Sequence, residues 1–170
     1  TTEYGNAYLN RMDLEGNLEK LTEEKGSVDG FDVYDGKVIF VGFRSLKLQE
    51  LYKLENKKEI QITNFNEWVN KERKLSIPER LTFQTKEGIT IEGWVMKPVD
   101  FDEGKKYPAI LNIHGGPKTV YGEIFFHEMQ YWTNEGYAVF FCNPRGSDGR
   151  GNAFADIRGK YGTIDYEDIM

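Results

Sequence analysis

The chain has 170 residues, of which 39% are hydrophobic and 29% charged, a composition typical of one folded domain or of one domain with part of another. Lys plus Arg is 22 and Asp plus Glu is 28, so the net charge of −6 argues against nucleic acid or an anionic membrane as the main partner. The single cysteine, Cys142, excludes an internal disulfide framework and a cysteine-built metal site, and no apolar run approaches the ~18–20 residues of a membrane span.

The first sixty or so residues are predicted to form short antiparallel strands joined by turns. Residues 31–34 and 37–43 flank Asp35-Gly36. An Asp-Gly pair between two alternating apolar runs is a strong hairpin signal, because both central residues of such a turn need a positive φ. The predicted strands between residues 28 and 63 span about 35 residues in four steps, close to one blade of a β-propeller.

A polar segment separates the predicted N-terminal strands from the part of the chain that follows. Residues 65–77 are polar and rich in charge, which indicates a solvated linker; a binding patch is the alternative. After it, residues 79–85 and 89–97 are predicted to form a hairpin across a Lys-Glu-Gly turn.

A strand, a helix and a strand are predicted beyond this hairpin. Residues 108–113 form a mostly apolar run, which is typical of a strand buried on both faces. Residues 124–135 have helical spacing and end at Gly136, a C-cap residue. Three apolar residues share one face of this helix: Phe125, Met129 and Trp132. The apolar strand at residues 137–141 completes a βαβ unit and therefore predicts a parallel α/β sheet.

The segment His114-Gly115-Gly116-Pro117 directly follows the first strand of that unit. Ligands of open α/β sheets bind at the carboxyl ends of strands. Two glycines there let backbone N–H groups approach a bound group closely, as in the oxyanion hole of α/β-hydrolases. The alternative is a strand-to-loop turn that needs glycine only for its positive φ.

The histidines and serines give no complete catalytic set. His114 has no acidic partner in the sequence, so we expect it to orient a loop rather than act as a base. His127 lies in the predicted helix and is expected to be a packing or surface residue. No serine stands in a G-x-S-x-G elbow, and Ser147 is one residue out of that register, so we do not expect it to be a nucleophile.

Residues 143–152 form a glycine-rich loop after the second strand. The loop lacks the Lys-Ser/Thr of a P-loop and the spacing of a dinucleotide fingerprint. Two roles are open for Arg145: binding a carboxylate, or anchoring the loop through a buried ion pair, which we favour. Cys142 ends an apolar strand and is expected to be a buried small hydrophobic residue.

Together, the segments Tyr107–Pro117, with its HGGP, and 137–151, with its NPRGS, resemble the prolyl oligopeptidase family of serine peptidases. The nearest branch is that of acylaminoacyl-peptidase-like and dipeptidyl-aminopeptidase-like enzymes. The resemblance covers residues 78–170, and the preceding strands fit the family's propeller by position and period.

The resemblance implies an α/β fold in which part of a β-propeller precedes the N-terminal part of an α/β-hydrolase domain. Residues 1–64 would be about one and a half blades, 65–77 a linker and 78–170 the hydrolase part. The backbone N–H of Gly116 would be one oxyanion donor. Three residues would support its loop: His114, Gly115 and Arg145. The resemblance further implies a peptide substrate and no cofactor or metal, with no nucleic acid or membrane as partner.

The family's catalytic Ser, Asp and His come after the point where this chain stops. We therefore expect a fragment, truncated before the catalytic serine and inactive alone in acyl transfer. Its unburied sheet face and edge would need further polypeptide or self-association. The chain starts with neither Met nor a secretion signal, so we expect both ends to be cuts through a longer, cytoplasmic protein.

Two alternatives remain open. The first is a fragment of an α/β-hydrolase esterase, which the propeller-like strands disfavour because simple esterases lack them. The second is a non-enzymatic interaction module built from β-hairpins, in which the glycine loops are only structural.

Overall fold

The computed structural model describes residues 1–170, which divide into two compact units. The first unit contains Thr1–Arg73 and Gly122–Phe125, and the second contains Lys74–Tyr121 and Phe126–Met170. None of the helices has both the length and the apolar character that crossing a membrane requires.

The first unit is built from antiparallel strands. β1 pairs with β2 and β3 with β4, while β5, β6, β7 and β8 form a four-stranded meander in chain order. The Asp35-Gly36 turn between β5 and β6 has φ values of 49° and 71°, which confirms the predicted hairpin. The elements of this unit are β1 Thr2–Glu3, β2 Asn6–Ala7, β3 Asn10–Met12, β4 Leu18–Lys20, β5 Gly26–Tyr34, β6 Lys37–Arg44, β7 Glu50–Glu55, β8 Lys58–Gln61 and α1 Glu67–Glu72.

One face of the meander carries the core of the first unit. Phe40 and Tyr52 are register partners on β6 and β7, and their rings stack with centroids 5.2 Å apart. Leu9, in the turn region before β3, packs into the same cluster. Apolar side chains also lie on the opposite face, where they remain between 37% and 44% exposed: Ile39, Leu51 and Ile60. The meander therefore has one buried face and one face that nothing in the unit covers.

A buried ion pair closes one end of this core. Arg44 Nε lies 2.7 Å from a carboxylate oxygen of Glu59, and both side chains are about 95% buried. The other carboxylate oxygen accepts the backbone N–H groups of Glu23 and Glu24. A charge taken out of water needs such partners, because an unpaired buried ion costs several kcal/mol.

The predicted linker contains ordered structure. Helix α1 occupies its centre, and Val69 on this helix is buried within the first unit. Asn70 on the same helix donates its side-chain N–H to the backbone carbonyl of Leu46.

The second unit contains a mixed four-stranded sheet in the order β11-β12-β10-β9. β11 and β12 are parallel neighbours connected through α2, which confirms the predicted βαβ unit, and the remaining pairs are antiparallel. The elements are β9 Glu79–Gln84, β10 Thr90–Met96, β11 Ala109–Asn112, α2 His127–Asn134, β12 Ala138–Asn143, α3 Asn152–Ala155 and α4 Ile164–Ile169.

Helix α2 covers one face of this sheet. Met129 packs against a fully buried cluster with Trp94 and Phe141, whose rings stack at 5.4 Å. Gly136 has a φ of +88° just past the end of the helix, as predicted. The predicted start was wrong: Phe126 is extended, so the helix begins at His127, and Phe125 precedes it in the first unit instead of sharing its apolar face.

The prediction of a strand buried on both faces was wrong for β11. Leu111 is 39% exposed and Ile113, just after the strand, is 53% exposed. β11 pairs only with β12, so its other edge has no neighbouring strand. An apolar run reports what a strand can bury, whereas its actual burial depends on elements that pack against it.

Candidate functional site

The loop after β11 holds a glycine in a conformation that other residues avoid. Gly116 has a φ of +127°, and a Cβ added there would lie 3.0 Å from the backbone nitrogen of Lys118. The residue is exposed, and its N–H forms no hydrogen bond within the chain. A donor at the carboxyl end of a strand is thus available to a bound group.

His114 connects this loop to the glycine-rich loop after β12. Its Nε2 lies 3.0 Å from Ser147 Oγ, and its Nδ1 lies 3.1 Å from the backbone oxygen of Gly115. A ring that donates from Nδ1 can accept the serine hydroxyl at Nε2. Burial lowers the pKa of His114, which favours this neutral ring. No carboxylate contacts the ring, so the group that would orient a catalytic base is missing.

Ser147 is enclosed by protein. Its exposed fraction is 1%, so its hydroxyl is inaccessible to a substrate although it faces a histidine. A nucleophile has to reach the scissile carbon, which a buried hydroxyl cannot do. The Ser147–His114 contact therefore joins two loops and lacks the features of a catalytic dyad.

Two further contacts join the same loops. The Asp148 N–H donates to Thr119 O at 2.9 Å. At Gly146, where φ is +102°, a Cβ would lie 3.3 Å from Pro117 Cβ and 2.7 Å from the Ile157 side chain. The glycine-rich loop thus lies close to the HGGP loop at Pro117, and the positive φ of Gly146 favours glycine at this position.

Asn143 is a supporting residue that the sequence reasoning missed. Its side-chain oxygen accepts the Tyr121 N–H at 2.8 Å, and its side-chain nitrogen donates to Tyr121 O at 2.9 Å. The residue is buried at the end of β12. A polar amide inside an apolar strand and before a proline was the available signal, because a buried amide must find partners.

Arg145 forms the buried ion pair that its loop position suggested. Its Nη2 lies 2.7 Å from Asp168 Oδ1, and its Nε and backbone N–H lie 2.9 and 2.8 Å from Oδ2. Asp168, on α4, has no exposed side-chain surface. Its carboxylate raises the pKa of Arg145. The guanidinium is occupied by this internal carboxylate, and the sequence did not identify Asp168 as the partner.

The remaining candidates have no role in the site. Cys142 is buried as predicted, and burial raises the pKa of its thiol to about 11, so the reactive thiolate is disfavoured. His127 lies on the surface. No group of three or more His, Cys, Asp or Glu side chains is placed to hold a metal ion.

Comparison with known proteins finds related peptidases. The prolyl oligopeptidase family profile matches residues 123–170. The uncharacterized peptidase YuxL of Bacillus subtilis is 36% identical over 99% of this chain and 26% of its own length. These matches relate the chain to the prolyl oligopeptidase family. This confirms the resemblance that the HGGP and NPRGS segments indicated.

Known peptidases are similar to this chain in fold or in sequence. The acylaminoacyl peptidase of Pyrococcus horikoshii superposes with a TM-score of 0.87 and is 33% identical, over 98% of this chain and 26% of its own. Dipeptidyl-peptidase 5 of Aspergillus fumigatus is 39% identical over 47% of this chain and 12% of its own length. The chain spans about a quarter of the length of the relatives that match it throughout.

Proposed function

We propose that this chain is part of a serine-type peptidase that hydrolyses short peptides through an acyl-enzyme. Residues 78–170 form the N-terminal part of its α/β-hydrolase domain, with the parallel β11–β12 pair as the beginning of the central sheet. Residues 1–64 form about one and a half blades at the end of a β-propeller, and residues 65–77 join the two. Support comes from the meander β5–β8 with its preceding hairpin and from the crossover through α2.

The Gly116 N–H is the observation that carries the proposal. It is a free, exposed donor on a loop that His114 and the Asp148 N–H connect to a second loop. Such a donor stabilises the oxyanion that develops when a peptide carbonyl is attacked, because it is already oriented and needs no reorganisation. Gly115 supports this loop through its backbone oxygen, 3.1 Å from His114 Nδ1, and Arg145 holds the second loop to Asp168.

The nucleophile of this peptidase lies outside the chain. Ser147 is buried and no carboxylate orients His114, so these residues supply no covalent route. The Ser, Asp and His of the family follow Met170 in our proposal. The chain by itself is then inactive, since an oxyanion donor accelerates only a reaction that has a nucleophile and a base.

Peptides are the substrate class that the relatives favour. An acylaminoacyl peptidase that is 33% identical to this chain is described in complex with Z-Gly-Gly-Phe-chloromethyl ketone. Other relatives are named dipeptidyl-peptidase 5. We propose substrates with an acylated residue or a free dipeptide at the N-terminus, no cofactor, and a cytoplasmic location. The rest of the polypeptide or a second copy covers the exposed apolar side chains of β6 and β11.

The role of Gly116 is tested in the polypeptide that carries this sequence together with the proposed triad. Gly116→Ala keeps the N–H, but alanine is strained at a φ of +127° and its Cβ would lie 3.0 Å from Lys118 N, so the donor should be displaced. We expect kcat to fall toward the loss of about 10²–10³-fold that removal of one oxyanion donor causes, with a small change in KM. Gly30→Ala is the matched control, because Gly30 has no positive φ and open space around its Cβ position. Equal kcat values for the two variants would overturn the proposal.

A further inference from the structure

We infer that Arg145 and Asp168 are a positioning pair, which fixes α4 against the glycine-rich loop and, through that loop, against the HGGP loop that carries Gly116. This inference rests on the proposed function, in which the chain after α4 leads to the nucleophile. The pair then sets the distance between the oxyanion donor and the attacking serine.

Asp168 binds both the backbone and the side chain of Arg145. Asp168 accepts one hydrogen bond from the backbone N–H of Arg145 and others from its guanidinium, so both carboxylate oxygens are occupied. Arg145 Nη2 also lies 3.3 Å from the backbone oxygen of Ile164, at the start of α4. A bidentate arginine–carboxylate pair fixes orientation as well as distance, so α4 cannot rotate relative to the loop without breaking it.

The loop that carries Arg145 also contacts the HGGP loop, through two residues that follow Arg145 within three positions. Ser147 contacts His114 at 3.0 Å, and Asp148 donates to Thr119 at 2.9 Å. His114 and Thr119 lie on either side of Gly116 in the HGGP loop. The hydrogen bonds of Arg145, the main chain from Arg145 to Asp148 and the hydrogen bonds of Ser147 and Asp148 therefore link α4 to the loop that carries the donor.

Helix α4 needs tertiary contacts such as the Arg145–Asp168 pair to be stable. It has six residues, and its N-cap residue Thr163 makes no side-chain capping bond. Isolated helices this short are unstable in water, so tertiary contacts must hold them. Asp168 is the buried residue of this helix, and its main partner is Arg145.

The test uses the polypeptide that contains the proposed triad, with Asp168→Asn and Arg145→Lys as variants. Asp168→Asn keeps the shape and removes the charge, while Arg145→Lys keeps the charge and removes the planar fork. Asp156→Asn is the matched control, because Asp156 pairs with Arg158 at an exposed site. Three quantities are measured: kcat, KM, and the rate at which a fluorophosphonate labels the active-site serine.

We expect kcat and the labelling rate to fall about 10–100-fold in both variants, as for a misplacement near 1 Å, with KM close to that of the control. Arg145→Lys should lose less than Asp168→Asn, since one charged contact survives. Control-like kcat and labelling in both variants would overturn the inference, and so would a loss confined to KM. An unlabelled, inactive parent polypeptide would instead overturn the proposed function, so the two failures are distinguishable.

Discussion

The two four-stranded sheets of the molecule differ in how far apart in the sequence their paired strands lie. In the meander of the first unit, every pair of neighbouring strands is joined by a short turn. In the sheet of the second unit, β10 pairs with β12 across an insertion that contains β11 and α2. Short connections leave their signals in the local sequence, whereas a distant pairing is decided by which surfaces remain to be buried.

The largest expected effect comes from removing one aromatic ring from each core. Phe141→Ala in the second unit and Phe40→Ala in the first each empty a fully buried, stacked position. We expect each to lower the free energy of unfolding of its own unit by about 3–5 kcal/mol. Hydrogen exchange resolved by segment checks this: Phe141→Ala should loosen β9–β12 more than β5–β8. Equal loosening of both units by either variant would contradict the division into two units.

A slightly smaller loss of the free energy of unfolding is expected when the buried ion pair of the first unit is broken. Glu59→Gln leaves the Arg44 guanidinium without its counter-charge and should destabilise the first unit by about 3 kcal/mol. Glu55→Gln removes a carboxylate from an exposed pair with Lys53, for which we expect a loss below about 1 kcal/mol. Urea unfolding of the two variants measures the difference. Similar midpoints would show that Arg44–Glu59 is not an essential pair of the meander.

The second unit should respond to pH through His114. Burial lowers its folded pKa, so the unfolded state binds a proton more readily. This contribution to stability is complete above the unfolded pKa of about 6.5 and decreases as the pH falls from there toward the folded pKa. His114→Gln should make the urea midpoint less dependent on pH between 7 and 5. An unchanged dependence would mean that other groups cause it.

The smallest effect is expected on the open face of the meander. Ile39 is 44% exposed there, and Ile39→Thr should change the free energy of unfolding by less than about 0.5 kcal/mol. Self-association of the 170-residue chain should decrease in the same variant if this face seeks a partner. Sedimentation velocity measures both the wild-type chain and the variant. Unchanged association would show that this face is not the one that needs covering.

Much of the local structure was predictable from the sequence. The Asp35-Gly36 turn, the end of α2 at Gly136 and the parallel β11–β12 pair each follow from a pattern within a short window. The burial of β11 was not, since Leu111 is apolar but 39% exposed, and β11 has a strand on one side only. A pattern specifies which surface a strand can bury, and the burial itself depends on the rest of the polypeptide.

In the candidate site, too, local features were predictable from the sequence and contacts between distant residues were not. The HGGP segment pointed to Gly116 because a positive φ is a local property of a glycine-rich turn. The partner of His114 was not predicted, because Ser147 lies 33 residues away in the sequence. The partner of Arg145 could not be identified, because Asp168 lies 23 residues away and carries no local signal that separates it from other acidic residues of the same helix. Long-range pairs of this kind emerge only once the helix is placed in space.

In the proposed function, this chain supplies the oxyanion donor of a serine peptidase whose nucleophile lies beyond Met170. Fluorophosphonate labelling of the full polypeptide, with the label located by peptide mass spectrometry, tests it most directly. We expect the label on a serine after Met170 and none on Ser147, whose hydroxyl is buried. A label on Ser147, or on no serine at all, would contradict the claim.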